Sequence, residues 1–464
     1  MDERIREIAR KIGAERKIPV EVKQAGNSYY LYRSTTRWDK REKKRKKVSE
    51  YLGRIDENGM VEKNFRTIYE FGNSELLMKV VDEITPSLKR SFPDHWSEIV
   101  AMSVVRAMDP RPLKLIKSAW EKLYASTQIE ASLSENTLSE KMRIIGSDYD
   151  AQVRFSRSLM SSGDTVLFDL SSIFSRSENI NLASRGYNPK SLNLDQINFA
   201  LVFSRKKEKP IILEVLDGSV RDMKAYDFLI KEYDLRDCII IADRGLASYE
   251  MPKRKGIYFI VAIRRDFDII DYSMPLGRSF IYHNRGINSG KKAIDNRILY
   301  MFEDLSLKAE EETNIIRKIE EGIKAQKDLD DARSTLGKVS LLSNLDMDPK
   351  DIYEMYKSRE EVEQVFDDMK NDLENDKAYL HTTDGIRGYF FITLVSLYIY
   401  YSIYRMLRER KLSPKISVRE SLLELSRAYV IVQGARRTMA AIPEKTKKLA
   451  EKLDLSLFPK ILRN

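Results

Sequence analysis

The chain has 464 residues, with 81 Lys+Arg against 71 Asp+Glu, a formal net charge of +10 and a sequence pI near 9.2. Its 42% hydrophobic and 9% aromatic content can offset the entropy of ordering, which excludes a wholly disordered chain, and its length suits about three folding units. The single cysteine, Cys238, excludes a disulfide scaffold and fits a reducing, intracellular compartment; with three histidines (His95, His283, His381), a metal is expected on carboxylates rather than in a His-rich zinc site.

Residues 1–18 predict a short amphipathic helix, too charged for an export signal. Strands are expected at 27–33 and 47–52, on either side of a basic stretch. From 37 to 47 that stretch holds Arg37, Lys40, Arg41, Lys43, Lys44, Arg45, Lys46 and Lys47 against Asp39 and Glu42. It reads either as a solvated loop or as a phosphate-binding patch. Residues 60–160 predict helices, among them 74–82, 95–107 and 113–121, with Pro86, Pro93, Pro110 and Pro112 as punctuation.

The pattern changes at Asp164. A short apolar strand is expected at 165–170 (TVLFDL), then a hairpin of 198–204 and 210–216 about the polar turn RKKEK, then a helix at 223–233. The run CIIIA at 238–242 is continuous in apolar residues, as in a strand covered on both faces, and it ends in Asp243-Arg244-Gly245. One more strand follows at 256–263. The order β, β-hairpin, α, β, α, β predicts an α/β fold with a mixed five-stranded sheet and flanking helices.

Residues 267–337 interrupt this order and read as an inserted subdomain. It should contain strands at 279–283 and 297–302 around a loop bearing RGINSGKK, then a charged helix at about 306–334. Residues 338–342 return to the sheet. A long helix starts with Asp348 as N-cap and Pro349 in its first turn and runs to about residue 373. The uncharged run 388–404 falls short of the ~20 apolar residues of a membrane span and holds five tyrosines, so it predicts a buried core helix and no membrane. Residues 411–464 are expected to be helical and basic.

Three carboxylates stand out by placement. Asp169 lies inside the first apolar strand, Asp243 at the C-terminal end of CIIIA, where open α/β sheets bind ligands, and Glu363 on the long helix. A carboxylate within or ending an apolar strand is costly unless it is hydrogen-bonded or holds a metal. On the helix, Tyr356, Arg359, Glu363 and Lys370 fall at about 0°, 300°, 340° and 320°, a stripe roughly 60° wide beside the apolar face. An ordinary amphipathic helix with an Arg359–Glu363 pair gives the same pattern. Asp367 and Glu360 also lie near the stripe, so geometry alone does not choose among the acids. Cys238 reads as a core thiol, and His381 as structural or phosphate-contacting. No nucleotide-binding glycine loop and no H-E-x-x-H is present in the sequence.

The spacing Tyr356-x2-Arg359-x3-Glu363-x6-Lys370 resembles the Y-R-E-K signature of DDE insertion-sequence transposases. FDLSSIFS and IIIADRG resemble that family's first and second acidic motifs, LHTTDGIRGYFFITLVSLYIYY its apolar helix after the glutamate, and SEYLGRID its N-terminal region. The resemblance covers roughly 160–405. It implies an RNase H-like catalytic core at 161–266 and 338–410, an insertion subdomain at 267–337, a DNA-binding region at 1–160 and a C-terminal region at 411–464 suited to dimerisation. Asp169, Asp243 and Glu363 would hold two Mg²⁺ ions, with Mn²⁺ able to substitute, for cleavage by water and joining by a DNA 3′-hydroxyl. Tyr356, Arg359 and Lys370 would hold phosphates of the transposon end, and Lys43, Lys44, Arg45, Lys46 and Lys47 would add DNA contacts.

The implied activity is cut-and-paste transposition by a cytoplasmic, nucleoid-associated homodimer on double-stranded DNA, at terminal inverted repeats and target. The alternatives are a non-catalytic DNA-binding derivative and a nuclease of the same fold that does not join. One departure stands out. Some members stack a flipped base on a tryptophan in the insertion, whereas Trp38, Trp96 and Trp120 all lie upstream, leaving Phe267, Tyr272, Phe280 or Tyr282 as substitutes.

Overall fold

A computed structural model describes residues 3–15, 18–26, 28–39, 44–57, 59–61, 66–174, 180–186, 195–220, 222–242, 256–360, 363, 365, 382–434 and 436–457. At the N-terminus, helix α1 (Glu3–Glu15) places Ile5, Ile8, Ala9 and Ile12 at three- and four-residue spacing along one stripe. That stripe covers one face of an antiparallel sheet, β1 (Val20–Ala25), β2 (Ser28–Asp39), β3 (Lys44–Asp56) and β4 (Gly59–Val61), in that order. Ile5, Ala9, Leu31 and Ile55 form its small buried core. The strands are longer than expected. Most of the basic stretch lies within β2 and β3 rather than between them, because Thr35, Thr36 and Val48 suit an extended, half-exposed ribbon.

After β5 (Thr67–Glu70) come α2 (Gly72–Ser91), α3 (Trp96–Met108), α4 (Leu113–Trp120), α5 (Glu135–Ser147) and α6 (Tyr149–Leu159). The three expected helices are present. Pro86 does not end one: it sits inside α2 at an exposed position, where it removes one backbone donor from the helix.

The large sheet is built from β6 (Thr165–Phe174), β7 (Ser184–Arg185), β8 (Asp195–Ser204), β9 (Lys209–Asp217), β10 (Cys238–Ala242) and β11 (Ile257–Ile263), with α7 (Asp222–Glu232) between β9 and β10. It continues through β12 (Arg278–Tyr282), β13 (Arg285–Ile294) and β14 (Arg297–Asp304). After α8 (Leu305–Glu320) and α9 (Gln326–Ala332), β15 (Lys338–Ser343) completes it. The mixed α/β class is as expected, but among the described residues the sheet has ten strands, not five. The order is β12-β13-β14-β15-β11-β10-β6-β8-β7, with β9 also on β8. β6, β8 and β9 run antiparallel, and β10 is parallel to both β6 and β11. The segment RGINSGKK is not a loop. It forms most of β13, where Ile287 and Ser289 point inward and Gly290 lets the strand approach the Pro275 carbonyl, 2.5 Å from where a Cβ would stand.

α10 (Pro349–Lys357) and α11 (Thr383–Glu409) follow the sheet. The alternation of β8 explains how both faces are covered. Phe199 and Phe203 meet Phe390 and Tyr401 of α11 at 5.2 and 5.7 Å, while Val166, Phe168, Val202 and Ile240 face Tyr226, Leu229 and Ile230 of α7. α11 is long and apolar enough to cross a membrane, with a mean hydropathy of 1.4 over its best window, yet 78% of that window is buried inside the protein. Its buried Thr393, Ser396 and Ser402 hydroxyls donate to carbonyls one turn back at 2.7–2.8 Å.

The expectation of a wholly helical C-terminus is corrected. Between α12 (Val418–Leu425) and α13 (Glu444–Lys452) lie β16 (Tyr429–Gln433) and β17 (Arg436–Met439), and β16 also pairs with β5. The β-branched run YVIVQ closes this small sheet with a strand about 360 residues earlier, over Phe71 and Tyr124.

Candidate active site

Asp169 is the fifth residue of β6, opposite Leu201 of β8, and its Oδ1 accepts the N–H of Leu170 at 3.0 Å. Leu167 and Phe168 before it are buried, whereas Asp169 is half-buried. On its other side β6 pairs with β10, with Thr165, Val166 and Leu167 against Ile239, Ile240 and Ile241. Asp169 therefore sits two residues past the last of these pairs. β10 ends at Ala242, and Asp243 lies outside the described residues.

The third acid enters from α10. Asp348 caps this helix by accepting the N–H of Lys350 at 2.9 Å, with Pro349 in the first turn, as expected. α10 lies against β10, β11 and β13. Its Tyr353 ring is held among Phe280, Tyr282 and Phe302 at 5.6, 5.4 and 4.9 Å. The same sheet thus positions both Asp169 and the segment that carries Glu363.

That segment is not one unbroken helix. α10 stops at Lys357, and a turn at Ser358–Arg359 follows, where the Ser358 hydroxyl donates to the Met355 carbonyl at 2.6 Å. Beyond it, Glu363 N–H reaches the Arg359 carbonyl at 3.4 Å. Tyr356, Arg359 and Glu363 are nevertheless brought together. Arg359 Nη2 pairs with Glu363 Oε1 at 2.7 Å, and its guanidinium lies 5.9 Å from the Tyr356 ring centre. The Arg359 side chain is only 14% exposed against 50% for Glu363, so a largely desolvated cation is paired with a carboxylate that reaches solvent. Lys370 and His381 lie outside the described residues. Among the described residues, no group of three or more His, Cys, Asp or Glu stands ready to hold a metal ion. The donor types still fit one: Asp169 and Glu363 offer the hard carboxylate oxygens that Mg²⁺ and Mn²⁺ prefer.

Cationic groups that sequence reasoning passed over follow β11, at the end where β10 stops. Arg265 makes a two-pronged contact with Glu311 at 2.8 and 3.0 Å, and Glu311 also accepts the N–H of Gly337 at 2.8 Å. Arg264 is exposed, 5.7 Å from the Phe267 ring and 3.3 Å from Asp266. Lys338 lies 5.5 Å from the Tyr272 ring. The signal available was the Arg-Arg pair ending a buried strand. Of the four aromatic residues noted in this region, Phe280 and Tyr282 pack around Tyr353, while Phe267 and Tyr272 lie beneath cations. Cys238 is buried, and burial pushes its thiol up to about 11, as suits a core residue.

In the N-terminal sheet, Lys43 lies outside the described residues, and Lys44, Arg45 and Lys46 occupy strand positions of β3. Lys47 is bonded to Glu21, which also accepts from Ser49 and has Lys23 3.4 Å away. The Lys47 hydrogen bond, then that of Ser49, holds the Glu21 carboxyl down at about 2.

Residues 171–399, just under half of the chain, match the family described as a transposase DDE domain. The matched span opens two residues after Asp169 and includes Asp243, Glu363 and the Tyr356–Lys370 pattern. The match supports a transposase. Among solved structures, the chain is similar to one in a cryo-EM structure of a piggyBac transposase synaptic complex with hairpin DNA. The two share 14% identity over 76% of this chain and 78% of that one, with a TM-score of 0.40. No curated protein matches the chain.

Proposed function

We propose that the protein is a DNA transposase that cuts the ends of its element in a metal-dependent reaction and joins them to target DNA. One observation carries this reading beyond the family match. Parallel β6 and β10 are paired up to Leu167 and Ile241, and in the sequence Asp169 and Asp243 each stand two residues beyond that pair. Acids at the same sequence step after two paired neighbouring strands are the pattern that a shared ion calls for. In this reading β9-β8-β6-β10-β11 form the RNase H-like core, with 267–337 inserted into it. Residues 1–160 bind DNA, and 411–464 serve a homodimer that pairs two ends inside the cell.

Asp169, Asp243 and Glu363 would hold two Mg²⁺, or Mn²⁺ in their place. Such ions supply activation of the attacking oxygen and stabilisation of the leaving oxygen in an in-line displacement. The chain's own residues do the positioning. Arg359, fixed against Tyr356 and Glu363, presents a fork suited to a phosphate, and Lys370 adds a point charge.

The test is cleavage of duplex DNA carrying the element's ends, with Mg²⁺ and with EDTA. Asp169→Asn, Asp243→Asn and Glu363→Gln should each lower cleavage by about 10³-fold or more, a loss typical of removing a group that stabilises transition-state charge, with DNA binding kept. Full activity of Asp243→Asn would overturn the metal role. Pre-cut ends with a target plasmid then separate joining from nuclease action, and DNA binding without cleavage under any condition would indicate a non-catalytic derivative.

A further inference from the structure

The N-terminal sheet has a feature that the proposed chemistry does not use. β1 pairs with β2 only from Ser28 to Arg33, whereas β2 and β3 stay paired for six further steps, from Ser34–Ser49 to Asp39–Lys44. Among the described residues this outer part is a ribbon of two strands alone, about 20 Å long at ~3.4 Å per residue. We propose that this ribbon enters the major groove of duplex DNA, with the sheet face bearing Tyr30, Tyr32 and Tyr51 laid against the adjoining phosphates. The proposal deepens the DNA-binding part of the function above and rests on it for the choice of ligand.

Dimensions argue for that groove. Two strands about 5 Å apart, with side chains, fit the major groove of about 12 Å and not the minor groove of about 6 Å. Charge argues for a polyanion. Residues 1–65 hold 18 Lys+Arg against 11 Asp+Glu, which is most of the chain's net charge of +10 in about one seventh of its length. The register also sets Arg37 of β2 opposite Lys46 of β3 along this outer part. A two-stranded ribbon is marginal by itself, and a bound polyanion would support it.

The face of the sheet agrees. α1 covers the side of Leu31 and Ile55. The opposite side carries Tyr51 with its ring 6.1 Å from Tyr30 and 5.3 Å from Tyr32, and Lys23 lies 4.5 Å from the Tyr32 ring. Glu21 stands among Lys47, Ser49 and Lys23 and holds them on this face. Lysine and tyrosine are both phosphate-contacting side chains. The register shift at Leu31/Tyr32 adds local twist where the ribbon leaves the three-stranded part, and that twist lets a ribbon follow a groove.

The test uses the full-length protein and a random-sequence 30-bp duplex without divalent metal, followed by fluorescence anisotropy. Methyl green, which occupies the major groove, should weaken binding at least tenfold; netropsin, in the minor groove, less than twofold. Replacing Lys44, Arg45 and Lys46 together by Gln should weaken binding at least tenfold and lower the slope of log K against log salt by about three, one per lost phosphate contact. Displacement by netropsin alone, unchanged binding by the triple variant, or tighter binding of the single-stranded 30-mer than of the duplex would each overturn the proposal. The groove competition is read on the unaltered protein, so it decides the matter even where the variant fails to fold. A protein that binds this way but never cleaves DNA would refute the transposase reading alone. One that cleaves in Mg²⁺ but ignores methyl green would refute the ribbon alone.

Discussion

Glu214 of β9 is 5% exposed, and its carboxylate accepts hydrogen bonds from the hydroxyls of Tyr233 at 2.6 Å and Tyr149 at 3.2 Å. Burial pushes its pKa up to about 7, against the pull of Tyr233, Arg387 and Tyr149 toward the charged form. The folded value lies above the unfolded one, so Glu214 favours the folded state fully below its ordinary pKa of 4.5, and that contribution is lost as pH rises through about 7. Chemical unfolding should therefore show stability falling between pH 5 and 8 by on the order of 2 kcal/mol from this group, and Glu214→Gln should flatten that part of the profile. An unchanged slope in the variant would mean that the carboxyl is not the source. The residue was visible in PIILEVL as an acid in an apolar strand, yet nothing in the sequence tied it to tyrosines 65 residues before and 19 after. The candidate site shows the same limit. Residue type and placement marked Asp169 and the stripe of Tyr356 and Arg359, and the motif resemblance chose Glu363 among the nearby acids, while the turn at Ser358 and the Arg265–Glu311 contact depend on partners that periodicity does not encode.

At the scale of elements, α5 and α11 cross at two glycines. A Cβ on Gly388 would stand 2.0 Å from the Met142 carbonyl oxygen, and one on Gly146 1.7 Å from that of Asp384. These are backbone atoms that cannot swing aside. Gly388→Ala and Gly146→Ala should each destabilise the fold by about 1–3 kcal/mol or more in urea unfolding, although alanine is the better helix former. Gly277→Ala, where a Cβ meets nothing within 4 Å, should stay within about 0.5 kcal/mol of the parent. Equal stabilities for all three would show that the helices can part at little cost. Elements with a strong local pattern were legible from the sequence: α2 to α4, the β8–β9 hairpin, the apolar run of β10, and α11. The rest depended on distant partners. β13 reads as a loop until Ile287 and Ser289 find a core to face, and β16 and β17 gain their role only from β5 across most of the chain. The ten-stranded extent of the sheet follows from β14–β15 and β15–β11 pairing, which joins segments that no local period links.

Over the whole molecule, apolar packing is divided unequally. One continuous core runs from Leu76 to Leu457 and joins α2, α3, α5 and α6 to the large sheet through α11. The N-terminal sheet has a separate core whose fully buried members, among the described residues, are Ile5, Ala9, Leu31 and Ile55. So few buried side chains leave a module of about 60 residues near the limit of independent stability. The large core should unfold as a cooperative unit of much higher stability. Heating the full-length protein should therefore give two transitions, the first confined to β1–β4 and α1, as hydrogen exchange by segment would show. Because only the folded module presents the paired β2–β3 strands, duplex DNA should raise the lower transition by mass action and leave the upper one nearly in place. Raising the salt concentration should cancel that protection, since it rests on counterion release. A single transition, with the N-terminal strands protected from exchange as strongly as β8 and β9, would show that the two cores are energetically one. In that case DNA binding at the ribbon would have to be felt across the entire sheet, and the module could not act as an independently ordered arm.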